Sequence, residues 1–179
     1  MSELPSAHVL AVDDEATLAE SYAAMIGTKH EVTSATSGEE ALEAIDETVD
    51  VVLVDRRMPG MSGFELIEQV HDQGYDPQIL LCSAVNPGLE ILSHVFDDYL
   101  RKPVGSDELL DTIDRQHRLT DCDPETRAYL ALEAKRAILE DTWATSRLEA
   151  DERFESLLAE IDQLSGRAHA GDENPLCAL

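Results

Sequence analysis

Several side chains have the types and the placement to handle a phosphoryl group. Asp13 and Asp14 follow the apolar run His8-Val9-Leu10-Ala11-Val12, and Asp55 follows Val51-Val52-Leu53-Val54. Ser83 ends the run that begins at Gln78, and Lys102 comes just after Asp98-Tyr99-Leu100. Three carboxylates brought to one place repel one another unless a divalent cation sits among them, and oxygen-only ligands in a partly hydrated site suit Mg2+. A lysine ammonium can hold an anionic oxygen as a point charge. Such a set suits transfer of a phosphoryl group onto a carboxylate, with one Asp as nucleophile and Lys and Ser holding the remaining oxygens. Each piece alone has a plainer reading. Asp13-Asp14-Glu15 can simply start a helix, Asp55 and Ser83 can be turn residues, and Lys102 can be a solvated charge. The suitable residue type after four separate strands is what carries the argument.

The elements that must position these groups follow from the apolar pattern. Val51 to Val54 is apolar on every side chain, as in a strand buried on both faces of a parallel sheet. Its C-terminal end is the edge where open α/β sheets bind ligands. Further strands are predicted at 8–12, 32–35, 78–83 and 98–100. Helices are predicted at 16–26, from the Ser37 cap to Ile45, from Phe64 to Val70, through Leu89, Ile91, Leu92 and Val95, and after a Ser106 cap with Leu109, Leu110 and Ile113 inward. Five β-α units in succession predict a parallel sheet with right-handed crossovers and helices on both faces. In a 2-1-3-4-5 order the first and third strands are neighbours, and the crevice between them is the topological switch point.

After Thr120 the composition changes. Asp121-Cys122-Asp123-Pro124 reads as a junction, and residues 125–165 contain neither Gly nor Pro. Phe154, Leu157, Leu158, Ile161 and Leu164 form an amphipathic stripe, and Tyr129, Leu132, Leu139 and Trp143 a less regular one. Ser146-Arg147-Leu148-Glu149 fits a capping box, which would break the helix into a hairpin. One uninterrupted helix paired as a coiled coil is the alternative. Gly166 is expected to end the helix. The expected organisation is an N-terminal tail (1–7), a β-α domain (8–120), a helical domain (121–166) and a disordered tail (167–179).

The net charge is −25, from 38 acidic and 13 basic residues. Such a surface repels nucleic-acid phosphates and anionic membranes. It resembles the lysine-poor surfaces of halophilic proteins, for which molar salt cuts the Debye length to about 3 Å. No apolar stretch approaches the roughly 20 residues of a membrane span. Residues 1–6 carry no basic group or long apolar run, so a cytoplasmic protein is expected. Cys82, Cys122 and Cys177 lack metal-ligand spacing and read as reduced thiols.

Residues 8 to about 119 resemble a response-regulator receiver domain of two-component signalling. The resemblance rests on Val12-Asp13-Asp14-Glu15, Val54-Asp55-Arg56-Arg57-Met58-Pro59, Gly63, Ser83-Ala84 and Asp98-Tyr99-Leu100-Arg101-Lys102-Pro103. It implies an α/β, flavodoxin-like (βα)5 fold with sheet order 2-1-3-4-5. It implies Asp55 as phospho-acceptor, charged by a histidine kinase, with Mg2+ held by Asp13, Asp14, Asp55 and the backbone carbonyl of Arg57. Ser83 and Lys102 would bind the phosphoryl oxygens, and Tyr99 matches the switch aromatic. Lys102-Pro103 is commonly cis in the family. Ser83 and Lys102 stand about three residues closer than in typical members, so the fourth helix is expected to be a turn shorter. The helical tail resembles the HalX domain found after receivers in haloarchaea.

The implied function is a phospho-switch that changes partner binding or dimerisation of the C-terminal helices, with a role in transcription regulation and the transcription machinery as a candidate partner. The only activity expected of the chain itself is self-phosphotransfer and self-dephosphorylation. One rival is a transcription regulator that binds DNA directly through the tail, against which the charge and the lack of a basic stripe speak. Another is a Mg2+-dependent phosphohydrolase of similar topology, which would need a further acid or base where this chain has Arg57.

Overall fold

A computed structural model describes residues 5–171, with side chains described to Arg167. Strands β1 (His8–Val12), β2 (Glu31–Ala35), β3 (Val51–Asp55), β4 (Gln78–Ser83) and β5 (Asp98–Arg101) form one sheet. Its order is β2-β1-β3-β4-β5, and every neighbouring pair is parallel. Helices α1 (Ala16–Ile26), α2 (Gly38–Ala44), α3 (Gly63–Asp72) and α4 (Ser106–Leu119) provide crossovers and cover. This is the expected flavodoxin-like architecture.

Successive strand residues face opposite ways, so the sheet separates two cores. Leu10, Val12, Val52, Val54, Ile79 and Leu81 join one core, with Ala41 of α2 and Leu66, Ile67 and Val70 of α3. Val9, Ala11, Val51, Leu53, Leu80 and Cys82 join the other, with Tyr22 and Ile26 of α1 and Leu109 and Ile113 of α4. The three central strands are buried on both faces, which is why they read as unbroken apolar runs. The edge strand β2 keeps Glu31 and Ser34 exposed.

The expected fourth helix is the main departure. In its place stands a five-residue 3-10 helix, Leu89–Ser93. Val95, expected within that helix, is 66 % exposed outside it, and Phe96 is buried. A short segment must run back from the end of β4 to the start of β5. The 3-10 form rises about 2.0 Å per residue against about 1.5 Å for the α form, so it covers that span with fewer residues.

The tail supplies the missing cover. Helices α5 (Pro124–Thr142), α6 (Thr145–Leu148) and α7 (Glu152–Gly171) follow. Arg167 lies 3.7 Å from Glu125, so α5 and α7 run antiparallel as a hairpin rather than as one long helix. Leu139, Leu148, Phe154, Leu157 and Ile161 share one core with Ile91, Phe96 and Tyr99. Of the expected stripe, Phe154, Leu157 and Ile161 cover the face left open by the shortened segment, whereas Leu158 stays 38 % exposed.

Local details also differ from expectation. The hairpin break does fall between Trp143 and Asp151, but by extended backbone at Trp143 and Ala144 rather than by a Ser146 capping box. Gly166 does not end α7, which continues to Gly171; residues 172–179 lie outside the described residues. Ser106 is the first residue of α4, not its cap, and Gly105 stands in the cap position. Cys82 is a buried free thiol. Cys122 is disulfide-bonded, which corrects its reading as a reduced thiol, because sequence isolation says nothing of spatial approach. Cys177 lies outside the described residues.

Candidate functional site

The C-terminal ends of β1 and β3 lie side by side, because Val12 pairs with Val54 in a parallel ladder. The next residue on each strand brings its carboxylate to the same rim. One oxygen each from Asp13, Asp14 and Asp55 falls within 4.8 Å of the others. Burial grades across the trio: Asp13 is 1 % exposed, Asp55 is intermediate and Asp14 is exposed. The cluster therefore has an anchored floor and an open mouth.

Lys102 binds the cluster together. Its Nζ donates to Asp13 Oδ2 at 2.6 Å and to Asp55 Oδ2 at 2.9 Å. It arrives there from the end of β5, where its backbone N–H donates to the Ser83 carbonyl at 3.0 Å and where Lys102–Pro103 is a cis peptide. Burial disfavours the ammonium, but the hydrogen bonds and charges of Asp13 and Asp55 outweigh this and hold it above the ordinary lysine value. The remaining oxygens are also directed. Asp13 Oδ1 accepts from the Glu15 N–H at 3.0 Å, and Asp55 Oδ1 accepts from the Arg57 N–H at 3.1 Å. Arg57 thus touches Asp55 through its amide, and its side chain is exposed.

The loop after β3 is shaped by close backbone contact. Gly63, the first residue of α3, donates its N–H to the Arg56 carbonyl at 3.1 Å. Gly60 takes φ +77°, a region that suits glycine. Ser62 and Glu65 form a reciprocal capping box that fixes the start of α3. That box, a Ser followed three residues on by Glu just before an apolar run, was visible in the sequence and passed over there.

Ser83 stands one residue beyond Cys82, the partner of Asp55 in the ladder, so its hydroxyl is on the same rim. It is 2 % exposed, and its Oγ accepts from the Val85 N–H at 3.3 Å. Tyr99 is not part of the carboxylate cluster. Its ring is buried edge-on to Phe96, and its hydroxyl donates to the Val85 carbonyl at 2.6 Å. Arg56 is a member of the rim that sequence reasoning did not single out: it pairs with Glu90 of the 3-10 helix at 2.5 Å and lies over the Phe64 ring. Its partner is 34 residues away, and no local pattern announces it.

A five-stranded 2-1-3-4-5 sheet with an acidic, lysine-bridged rim defines a class of protein, and comparisons agree on which. The family description "Response regulator receiver domain" matches residues 9–114, and "HalX domain" matches 118–173. The chain belongs to the response-regulator receiver family, with a HalX domain after the receiver. It is 34 % identical over 167 residues to a Haloferax volcanii protein described as "Putative transcriptional regulator", covering 93 % of this chain and 28 % of that one. It is 31 % identical over 109 residues to the response regulator SaeR of Staphylococcus epidermidis, covering 58 % of this chain and 47 % of the relative. The chain thus spans less than half the length of these relatives. Among solved structures, a Francisella response-regulator receiver domain matches with TM-score 0.60 and 28 % identity, over 65 % of this chain and all of that one. A Thermotoga maritima response regulator in complex with Mg2+ and BeF matches with TM-score 0.52 and 28 % identity, over 62 % of this chain and 98 % of that one. Among the described residues, no helix is long and apolar enough to cross a membrane.

Proposed function

We propose that this chain is a phosphorylation-dependent switch in which Asp55 accepts a phosphoryl group from a histidine kinase and the C-terminal hairpin carries the output. The observation that supports it most is Lys102 Nζ held between Asp13 and Asp55 beside a partly exposed acceptor carboxylate. In this reading an Asp55 oxygen attacks the phosphorus of a phosphohistidine. The P–N bond breaks and its electron pair returns to the imidazole nitrogen. Lys102 exchanges its bond to the Asp55 carboxylate for one to a phosphoryl oxygen, and the Ser83 hydroxyl donates to another.

The donor set fits a hard cation, being oxygen-only and graded from buried to exposed. Asp13, Asp14 and Asp55, with the Arg57 carbonyl, would hold Mg2+, which when bound neutralises charge on the transferred group. The Glu15 and Arg57 amides keep the Asp13 and Asp55 carboxylates aimed while this happens. Tyr99, bonded to the loop that follows Ser83, would report the change at the rim to the hairpin. A protein partner or a second copy, engaged through the hairpin in the cytoplasm, is the output we favour. The description of the Haloferax volcanii relative supports transcription as the process. Direct DNA binding is disfavoured by the charge of −25. A phosphohydrolase is disfavoured by the exposed Arg57 side chain where a second acid or base would stand.

The test is intact mass after incubation with acetyl phosphate and Mg2+ in molar KCl, for wild type and Asp55→Ala. One phosphoryl group gained by wild type alone is expected. No gain on a folded wild type would defeat the reading, and equal gain on both would move the acceptor elsewhere.

A further inference from the structure

The segment from Ala84 to Gly88 joins the rim to the 3-10 helix, and its polar groups can be followed one by one. The Val85 N–H donates to Ser83 Oγ, and the Val85 carbonyl accepts from Tyr99. The Asn86 side-chain oxygen accepts from Arg101 at 2.5 Å, and the Gly88 N–H donates to Glu90 at 3.3 Å. The Pro87 carbonyl accepts from Trp143 Nε1 at 2.8 Å. The first four ties stay within the receiver. The last comes from the tip of the C-terminal hairpin.

Trp143 is itself firmly seated. Its backbone N–H donates to the Leu139 carbonyl at 2.8 Å, and the Arg147 guanidinium lies 3.9 Å above its ring. Leu139, one turn back, is fully buried in the core shared with the receiver. Asp141 on the same turn lies 3.7 Å from Arg101, which also holds Asn86. The tip and the loop are therefore joined twice, within four residues of the Ser83 hydroxyl. Each residue spans at most about 3.6 Å, so so short a loop has little slack to absorb a displacement of Ser83.

We infer that Trp143 is a positioning residue for the rim: its indole fastens the loop that follows Ser83, so the phosphoryl state of Asp55 and the seating of the hairpin tip are coupled. This rests on the reading of Asp55 as acceptor. Coupling is reciprocal: if phosphorylation shifts the tip, loosening the tip shifts how well Ser83 serves the phosphoryl group. Tyr99 reaches the hairpin only through the core it shares with Leu139. The Trp143–Pro87 bond carries it directly to the output helices without a further relay.

Trp143 is the sole tryptophan, so its emission reads its own seating. The experiment follows intact mass and tryptophan emission together on the full chain with acetyl phosphate and Mg2+ in molar KCl, with Asp55→Ala as control. A shift in emission maximum that tracks the mass gain, and is absent in Asp55→Ala, is expected. The phosphoryl half-life is then compared in wild type, Trp143→Phe and Ile161→Val. Phe keeps the ring packing but removes the donor. Ile161 packs in the same core next to Glu160, which lines a cavity with Gln78 at the opposite end of β4. A half-life changed at least twofold in Trp143→Phe and unchanged in Ile161→Val would support a positioning role over mere stability. A mass gain with constant emission and an unaltered Trp143→Phe half-life would overturn the inference while leaving the acceptor reading intact. No mass gain on wild type would overturn that reading, and this inference with it.

Discussion

The backbone carbonyl of Asp55 lies 2.3 Å from where a Cβ on Gly63 would stand, with the Arg56 Cα at 3.0 Å. The first residue of α3 is thus pressed against the last residue of β3, and only a glycine leaves room. Gly63→Ala must push backbone aside at Asp55 itself. A loss of about 1–3 kcal/mol, typical of overpacking, is expected by urea denaturation, with slower mass gain from acetyl phosphate. Unchanged stability and uptake would show that the loop yields freely.

Asp97 should give the protein a pH dependence away from the rim. Burial pushes its carboxyl up to about 6, against the Ile79 N–H and the charge of Arg127, which favour ionisation. A folded-state value above the unfolded one means that the native state binds the proton more tightly. The stability gained is fully present below about pH 4 and is lost as pH rises through about 6. Asp97→Asn should remove this slope, so that its stability relative to wild type improves between pH 4 and pH 7 by on the order of 1–3 kcal/mol. The Asn side-chain oxygen can still accept the Ile79 N–H. Parallel denaturation curves at both pH values for the two proteins would refute the assignment.

Leu139 ties the hairpin to the receiver. It is fully buried on α5 in one core with Ile91, Phe96 and Tyr99. Leu139→Ala should cost about 2–5 kcal/mol in a single transition seen alike by far-UV circular dichroism and by Trp143 emission. Two separated transitions would mean that receiver and hairpin unfold independently.

The charge of −25 predicts a salt requirement. Self-repulsion among carboxylates falls as the Debye length shrinks from about 10 Å at 0.1 M to about 3 Å at 1 M. The melting temperature should therefore rise steadily from 0.1 to 1 M KCl and continue to rise more slowly above it. A flat profile would mean that the acidic surface is already compensated internally.

The unbroken run Val51–Val54, followed by Asp55, was legible because a strand buried on both faces needs apolar residues at every position and its polar end must reach solvent. The same local logic marked Asp13, Asp14, Ser83 and Lys102 as groups at strand ends, and their convergence followed from parallel strands sharing one rim. The capping of α3 by Ser62 and Glu65 was equally local and could have been read. Arg56–Glu90 could not, since either residue alone looks like an ordinary surface charge.

What the sequence by itself determined, then, is the β-α alternation, the sheet it implies and the residue types at the sheet's chemical edge, because these depend on periodicity and on neighbours in the chain. Only the tertiary structure decided that the segment after β4 is a 3-10 turn, that the tail folds back as a hairpin onto it, and that Trp143 reaches Pro87 across 56 residues. Those outcomes depend on which apolar face needs cover and which partner is long enough to supply it, and no window along the chain contains both.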